Sequence, residues 1–176
     1  MSIAIGAEAP PFELPGVDGS THTLDEYADD GVLVLVQSCN HCPYVQAWEG
    51  RLKSIQTEYE DRGVRIVAIS SNDAEAYPED SFDAMKQRAT EEGFNFDYLY
   101  DESQEIARAL GSERTPEVFV FDRDRRLVYH GAIDDSREAD AAQRHYLREA
   151  IEAALRGIEP PEAETPPVGC TVKYRS

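Results

Sequence analysis

Lysine is scarce in this sequence. Of the 17 basic residues only three are lysines, Lys53, Lys86 and Lys173, whereas aspartate and glutamate together number 35. The formal net charge at pH 7 is therefore -18 and the isoelectric point is near 4.5. Because a strongly acidic surface repels polyanions, the composition excludes nucleic acids and anionic membranes as partners.

Cysteines and long apolar runs are also few. The chain has 3 cysteines, too few for the disulfide framework of a small secreted domain. No stretch approaches the roughly 20 apolar residues that span a bilayer, and residues 1–10 lack the basic region and apolar core of a signal peptide. We therefore expect a cytoplasmic protein whose thiols serve catalysis, metal binding or redox sensing.

The shortage of lysine among so many carboxylates points to a second property. At molar salt the Debye length falls to roughly 3 Å, so the self-repulsion of an acidic surface is largely screened. We interpret the composition as halophilic, with an ordinary acidic protein as the alternative.

The chain length suits one domain. A chain of 176 residues with 41% hydrophobic content can bury a single sizeable core, and no internal repeat or interdomain linker interrupts it. We assign residues 1–159 to one domain and residues 160–176 to a C-terminal tail that carries Cys170. Residues 159–167 are rich in proline and glutamate, which predicts an extended, mobile segment.

Hydrophobic periodicity predicts alternating strands and helices. An unbroken apolar run at residues 32–36 predicts a buried strand, and apolar residues three and four apart then predict a helix that begins at or just before Cys42 and ends at Gly63. Further strands are predicted at 64–69, 117–121 and 127–130, and further helices from about Ser81, up to Gly111, and over 141–156. This order predicts an α/β protein built on a layered sheet.

A Cys-x-x-Cys motif, Cys39-Asn40-His41-Cys42, joins the first buried strand to the helix. A thiol at the positive end of a helix ionises readily, with a pKa that can fall to roughly 3.5–7.5. We expect Cys39, as the more exposed thiol, to be the nucleophile and Cys42 to resolve the mixed disulfide. His41, if charged, would further favour the thiolate.

Other interpretations of the motif remain. A c-type haem site needs a histidine directly after the second cysteine, where this chain has Pro43. A zinc site needs four ligands, and combinations of the three cysteines with one histidine stay open, although no second Cys-x-x-Cys is present. Two unrelated buried cysteines are a further alternative.

Short motifs along nearly the whole chain accompany the cysteine pair. They lie at residues 6–10, 39–45, 71–73, 77–81, 98–102, 115–118, 134–136 and 169–173. With Cys-Asn-His-Cys-Pro-Tyr-Val at the redox site, the chain resembles the thioredoxin superfamily. It is most similar to the peroxiredoxin-like branch, the redoxins related to alkyl hydroperoxide reductase and thiol-specific antioxidant proteins.

The resemblance implies a fold and two further site residues. The fold would be thioredoxin-like, a central mixed β-sheet flanked by helices, with an N-terminal extension and a peroxiredoxin-type insertion between the motif and Pro116. Pro116 would form a cis peptide bond facing the thiols, and Thr115 would offer backbone groups to a bound substrate. A proline at the very start of a strand agrees with this, because it removes a donor only where pairing begins.

Two positions depart from the best-known relatives. Peroxiredoxins hold peroxide with a threonine three residues before the reactive cysteine, but Val36 precedes Cys39 at that spacing and Cys39 precedes Cys42. Thioredoxins carry a buried aspartate on the preceding strand, where this chain has Leu33. Peroxidase activity is therefore in doubt, and another group, such as His41 or water, must accept the proton of the second cysteine.

Cys170 follows the proline-rich segment. One interpretation is a free thiol in a frayed tail. The other is that residues 171–174 dock as an extended piece near the motif and make Cys170 a second resolving thiol. A flexible tether allows this, because the entropy cost of loop closure grows only logarithmically with length.

Three functions follow in order of preference. The first is a thiol-disulfide oxidoreductase in cell redox homeostasis that uses the Cys39–Cys42 pair on protein disulfides, needs no cofactor or metal, and is restored by a thioredoxin-like or reductase partner. The second is a thiol-dependent peroxidase, an antioxidant activity with peroxide as substrate. The third is a metal-binding or redox-sensing module without turnover.

The acidic composition gives a first testable prediction. The melting temperature should rise steeply with KCl concentration, because added ions screen the repulsion among the 35 carboxylates. Thermal unfolding followed by circular dichroism from low to molar KCl measures this. A melting temperature that does not change with salt would contradict the halophilic interpretation.

Overall fold

A computed structural model describes residues 2–176 of the chain. Nine strands are present in this part: β1 (Glu13–Pro15), β2 (Thr21–Thr23), β3 (Val32–Ser38), β4 (Val64–Ser70), β5 (Asp97–Tyr100), β6 (Arg114–Thr115), β7 (Glu117–Phe121), β8 (Leu127–Gly131) and β9 (Cys170–Thr171). The α-helices are α1 (Pro43–Tyr59), α2 (Phe82–Glu91), α3 (Glu105–Leu110) and α4 (Tyr146–Arg156). No helix within residues 2–176 is long and apolar enough to cross a membrane.

Five strands form a central mixed sheet in the order β5-β4-β3-β7-β8. The β3 strand lies parallel to β4 and antiparallel to β7, while β4 continues parallel to β5 and β7 antiparallel to β8. Between β4 and β6 the chain inserts α2, β5 and α3. The predicted thioredoxin-like architecture, a mixed sheet flanked by helices, is confirmed.

The β3 strand explains why the sheet is covered on both faces. All five residues of its apolar run are fully buried. Val32, Val34 and Val36 pack in the layer that contains α1, α2 and α4, whereas Leu33 and Leu35 pack in the layer that contains α3 and the N-terminal segment. Successive side chains of a strand point to opposite faces, so a continuous apolar run satisfies both layers.

The last helix begins later than predicted, at Tyr146 rather than 141. The preceding backbone is held in other conformations by side chains: Gln143 N donates to Asp135 Oδ1 (2.8 Å), and His145 N donates to Glu149 Oε2 (3.1 Å). These local bonds compete with the helical pattern.

The proline-rich segment is packed rather than mobile in its second half. His130 N, on the edge strand β8, donates to Ala163 O (3.0 Å), and Thr165 N donates to His130 O (3.2 Å). The hydroxyl of Thr165 accepts from Ala132 N (3.0 Å). The prediction of a mobile segment is therefore wrong at residues 163–165, because composition does not reveal backbone pairing to a sheet edge.

The double-sided core gives a stability prediction. Leu35→Ala should lower the free energy of unfolding by about 2–5 kcal/mol, because it leaves a cavity where the side chain is 0% exposed. Ile158→Ala is the control, since Ile158 is 50% exposed and its loss should change stability by less than about 0.5 kcal/mol. Urea unfolding measures both, and equal effects would contradict the assignment of the core.

Candidate active site

Cys39 and Cys42 lie where the central strand meets the first helix. Cys39 directly follows β3, and Cys42 is the N-cap residue of α1. Pro43 is the first helical residue, a position where the missing N–H has no intrahelical partner. The helix thus begins one residue later than the predicted start at or just before Cys42.

Three thiols meet at this junction. The Cys42 and Cys170 sulfurs are 2.6 Å apart. Cys39 packs with Cys42 and Val45 in one buried apolar cluster, against which Cys170 rests. Cys39 and Cys42 are 1% and 0% exposed, and Cys170 is half-buried. All three are free cysteines. The tail that carries Cys170 is docked at the motif, as one of the two interpretations expected, and is not frayed.

The environment of Cys42 favours its thiolate. Hydrogen bonding from the Cys39 thiol, and secondarily from Cys170 and from Val45 N at the helix start, lowers the pKa of Cys42 to about 4. The same contact with Cys42, together with burial, raises the pKa of Cys39. Burial and the neighbouring Cys42 raise the pKa of Cys170 to about 11. These contacts favour ionisation of Cys42 over ionisation of Cys39 or Cys170.

These observations bear on one sequence-based assignment. Cys39 was expected to be the more exposed thiol and the nucleophile, yet Cys39 and Cys42 are both buried and the pKa of Cys39 is raised. The physical reason is the helix start. Cys42 is the N-cap residue and lies at the positive end of α1, whereas Cys39 precedes it by three residues.

A buried carboxylate organises the loop between the cysteines. Asp80 is 0% exposed and is the last residue of the 3-10 turn Pro78–Asp80. Its Oδ1 accepts from Asn40 N (2.8 Å), and its Oδ2 lies 2.5 Å from His41 Nδ1 and accepts from Asn72 Nδ2 (2.9 Å). His41 is thereby oriented by Asp80, and the aspartate supplies negative charge near Cys39, whose pKa it helps to raise.

The same residues bear on the zinc alternative. Ligand atoms of Cys39, His41 and Asp80 lie within 4.8 Å of one another. Both carboxylate oxygens of Asp80 already accept N–H donors, from Asn40 and from Asn72, so both are engaged within the protein. Other candidate histidines engage carboxylates of their own: His22 lies 2.7 Å from Glu26, and His130 lies 3.1 Å from Glu164.

The Thr115–Pro116 segment faces the thiols. Its peptide bond is cis, as the resemblance implied. Thr115 is fully buried. The loop before it is braced by the buried carboxylate of Glu117, whose Oε1 accepts from Glu113 N (2.9 Å) and Arg114 N (3.3 Å). Burial raises the pKa of Glu117, while the two N–H donors act in the opposite direction.

The family of the chain follows from comparison with known proteins. Residues 5–130 match the description "AhpC/TSA family". The chain belongs to the AhpC/TSA family. The match ends before the tail, so Cys170 lies outside the part of this AhpC/TSA protein that the family description covers.

Two solved structures resemble this AhpC/TSA protein along nearly its whole length. A hypothetical protein from Sinorhizobium meliloti 1021 is 36% identical, with a TM-score of 0.93 over 100% of this chain and 97% of that one. An uncharacterized conserved protein from Geobacillus kaustophilus is 42% identical, with a TM-score of 0.91 over 98% of this chain and 93% of that one.

More distant relatives have named activities. The thiol-disulfide oxidoreductase ResA of Geobacillus thermodenitrificans is 24% identical over 128 residues, 72% of this chain and 68% of ResA. Peroxidoxin BcpB from Mycobacterium tuberculosis is 22% identical, with a TM-score of 0.67 over 88% of this chain and 97% of that one, and it shares the fold. This AhpC/TSA protein is therefore thiol-disulfide oxidoreductase-like.

Two site residues escaped the sequence analysis. Asn72 and Asp80 lie in the short motifs at residues 71–73 and 77–81, for which no role was predicted. A signal was available: Asn72 follows β4, whose carboxyl end adjoins that of the parallel strand β3. Polar residues at that edge are expected near the cysteines.

The thiolate assignment gives a spectroscopic prediction. Because the pKa of Cys42 is depressed, its thiolate should persist at neutral pH and be lost only as the pH falls through about 4. Ultraviolet thiolate absorbance during an acid titration measures this. Cys42→Ser should abolish the step, and Cys170→Ser should move it to higher pH. A step that survives in Cys42→Ser and disappears in Cys39→Ser would reverse the assignment.

Proposed function

We propose that this protein is a thiol-disulfide oxidoreductase that works through the Cys39–Cys42 pair in cell redox homeostasis. The observation that carries the proposal is the packing of Cys39 and Cys42 in one buried cluster at the start of α1, against the Thr115–cis-Pro116 segment. Two sulfurs in contact, one ionised and one protonated, are what dithiol exchange requires.

The reaction follows from the two protonation states. The Cys42 thiolate attacks one sulfur of a substrate disulfide, forming a mixed disulfide and expelling the first substrate thiolate, which takes up the proton lost by Cys39. The Cys39 thiolate then attacks the Cys42 sulfur and expels the second substrate thiolate, which is protonated by solvent. The substrate disulfide is reduced by two electrons, and Cys39–Cys42 becomes a disulfide.

A reducing partner closes the cycle. A dithiol protein of the thioredoxin or reductase type would return two electrons to the Cys39–Cys42 disulfide, so that no organic cofactor or metal is needed. We place this chemistry in the cytoplasm, where reducing conditions keep thiols available. The net charge of -18 argues against nucleic-acid and membrane partners.

A second candidate function is thiol-dependent peroxide reduction. The depressed pKa of Cys42 at a helix start, with another thiol 2.6 Å away, favours it. The Cys42 thiolate would take one oxygen from a hydroperoxide, becoming sulfenic acid and releasing the alcohol or water, and a neighbouring thiol would then form a disulfide and release water. Against it, Cys39 occupies the place three residues before Cys42 where peroxiredoxins have threonine.

Two parallel assays test the order of these candidates. Insulin-type disulfide reduction should proceed in the wild type and fall by about 100-fold or more in Cys39→Ser and in Cys42→Ser, because either change removes the exchange pair. Stopped-flow mixing of the reduced protein with hydrogen peroxide should show slow oxidation.

Gly50→Ala is the matched control for both assays, because a methyl group at Gly50 meets nothing within 4 Å. Rapid oxidation by peroxide with no insulin reduction would reverse the ranking. Tightly bound zinc with no reaction in either assay would contradict both activities and favour the binding module.

A further inference from the structure

The tail reaches the active site as an added strand. β9 pairs antiparallel with β6, so that Thr171 lies opposite Arg114 and Cys170 opposite Thr115. The pairing strand on the domain side is the one that leads into cis-Pro116. An extended peptide that adds to a strand edge gains backbone hydrogen bonds of this kind.

Gly169 permits this approach. A Cβ atom at Gly169 would lie 1.9 Å from Thr115 O, which is far inside van der Waals contact. The clash is with backbone, which a flexible side chain cannot relieve by moving aside. Only glycine at this position therefore lets Cys170 come within 2.6 Å of Cys42 in the observed arrangement.

Backbone hydrogen bonds hold the rest of the tail on the domain. Val172 N donates to Glu113 O (3.1 Å), Lys173 N donates to Asn72 Oδ1 (2.8 Å), and Asp73 N donates to Lys173 O (2.9 Å). These bonds depend little on the side chains of the tail. The tail is thus bound as a peptide would be, with its position set by main-chain groups and its thiol aimed at Cys42.

Burial orders the three thiols from the surface inward. Cys170 is half-buried, whereas Cys42 is 0% and Cys39 is 1% exposed. With the tail docked, an external thiol meets Cys170 before it can reach either member of the pair.

We propose that Cys170 is the entry thiol of the protein: residues 169–174 act as a built-in substrate strand, and the buried Cys39–Cys42 pair exchanges with external thiols through Cys170. This inference rests on the proposed oxidoreductase function and names the route by which electrons enter.

The route balances in three exchange steps. The Cys170 thiolate attacks the Cys42 sulfur of the Cys39–Cys42 disulfide, forming Cys42–Cys170, and Cys39 leaves and takes the proton that Cys170 gave up. An external thiolate then attacks the Cys170 sulfur and expels Cys42 as thiolate. A second external thiol releases Cys170, so that two external thiols become one disulfide and the protein gains two electrons.

The acidity of Cys42 favours this direction of attack. In thiol-disulfide exchange the sulfur whose thiol has the lower pKa leaves faster. The pKa of Cys42 is lowered and that of Cys170 is raised, so an external thiolate that attacks Cys170 in the Cys42–Cys170 disulfide expels the better leaving group. The more exposed sulfur of the Cys42–Cys170 disulfide, that of Cys170, is therefore also the one that an external thiolate attacks.

Mixed-disulfide mapping tests the route directly. The full-length protein is oxidised with stoichiometric diamide, treated with excess glutathione for a short time, quenched with acid and mapped by mass spectrometry. Glutathione should be found on Cys170. Glutathione on Cys39 or Cys42 with Cys170 unmodified would overturn the proposal.

Single-turnover reduction by glutathione supplies the second test. Cys170→Ser should slow reduction of the Cys39–Cys42 disulfide by about tenfold or more, because the entry thiol is lost. Gly169→Ala should slow it as well while all three thiols remain, and Gly50→Ala should match the wild type. Circular dichroism checks that each variant is folded.

The outcomes separate this inference from the proposed function. If Cys170→Ser and Gly169→Ala are reduced at the wild-type rate while Cys39→Ser and Cys42→Ser lose insulin reduction, the oxidoreductase stands and the entry route is wrong. If the wild type neither forms a Cys39–Cys42 disulfide nor reduces insulin, both are wrong.

Discussion

All three cysteines contact one residue, Thr115. Its carbonyl oxygen lies 3.5 Å from Cys42 Sγ, its hydroxyl lies 3.6 Å from Cys39 Sγ, and the same hydroxyl donates to the backbone oxygen of Cys170 (3.5 Å). Because Thr115 is fully buried and precedes cis-Pro116, water cannot take the place of its carbonyl and hydroxyl groups. The three cysteines therefore share one buried point of contact, at the residue that leads into cis-Pro116.

Much of this arrangement could be predicted from local sequence. The apolar run at residues 32–36 predicts a strand that is buried on both faces, and Pro43 marks the first turn of the following helix within one residue. Both signals are local, since they depend on side-chain alternation and on the missing proline N–H. The spacing of Cys39 and Cys42 also predicts a redox pair. It does not tell that Cys39 and Cys170 both lie against Cys42, and these neighbours are what lower the pKa of Cys42.

The rest depends on contacts between distant parts of the chain. Asp80 is separated from Asn40 by 40 positions, and no periodicity indicates that its carboxylate is buried under the cysteine loop. Strand β9 has two residues, too few for an alternation of apolar and polar residues to be recognised in the sequence. Its partner is chosen by main-chain groups and by the small size of Gly169. Residues 163–165 likewise pair with a sheet edge although their composition is typical of a mobile segment.

The amide of Asn72 connects the two halves of the site. Its Nδ2 donates to Asp80, which holds the loop between the cysteines, and its Oδ1 accepts from Lys173 N in the tail. Asn72 is 3% exposed, so neither end of the amide has water as a ready substitute. Departure of the tail would break the hydrogen bond from Lys173 N to Asn72 Oδ1, next to the Asp80 network. This contact therefore favours the docked tail whether or not a bond joins Cys42 to Cys170, and it keeps Cys170 beside Cys42.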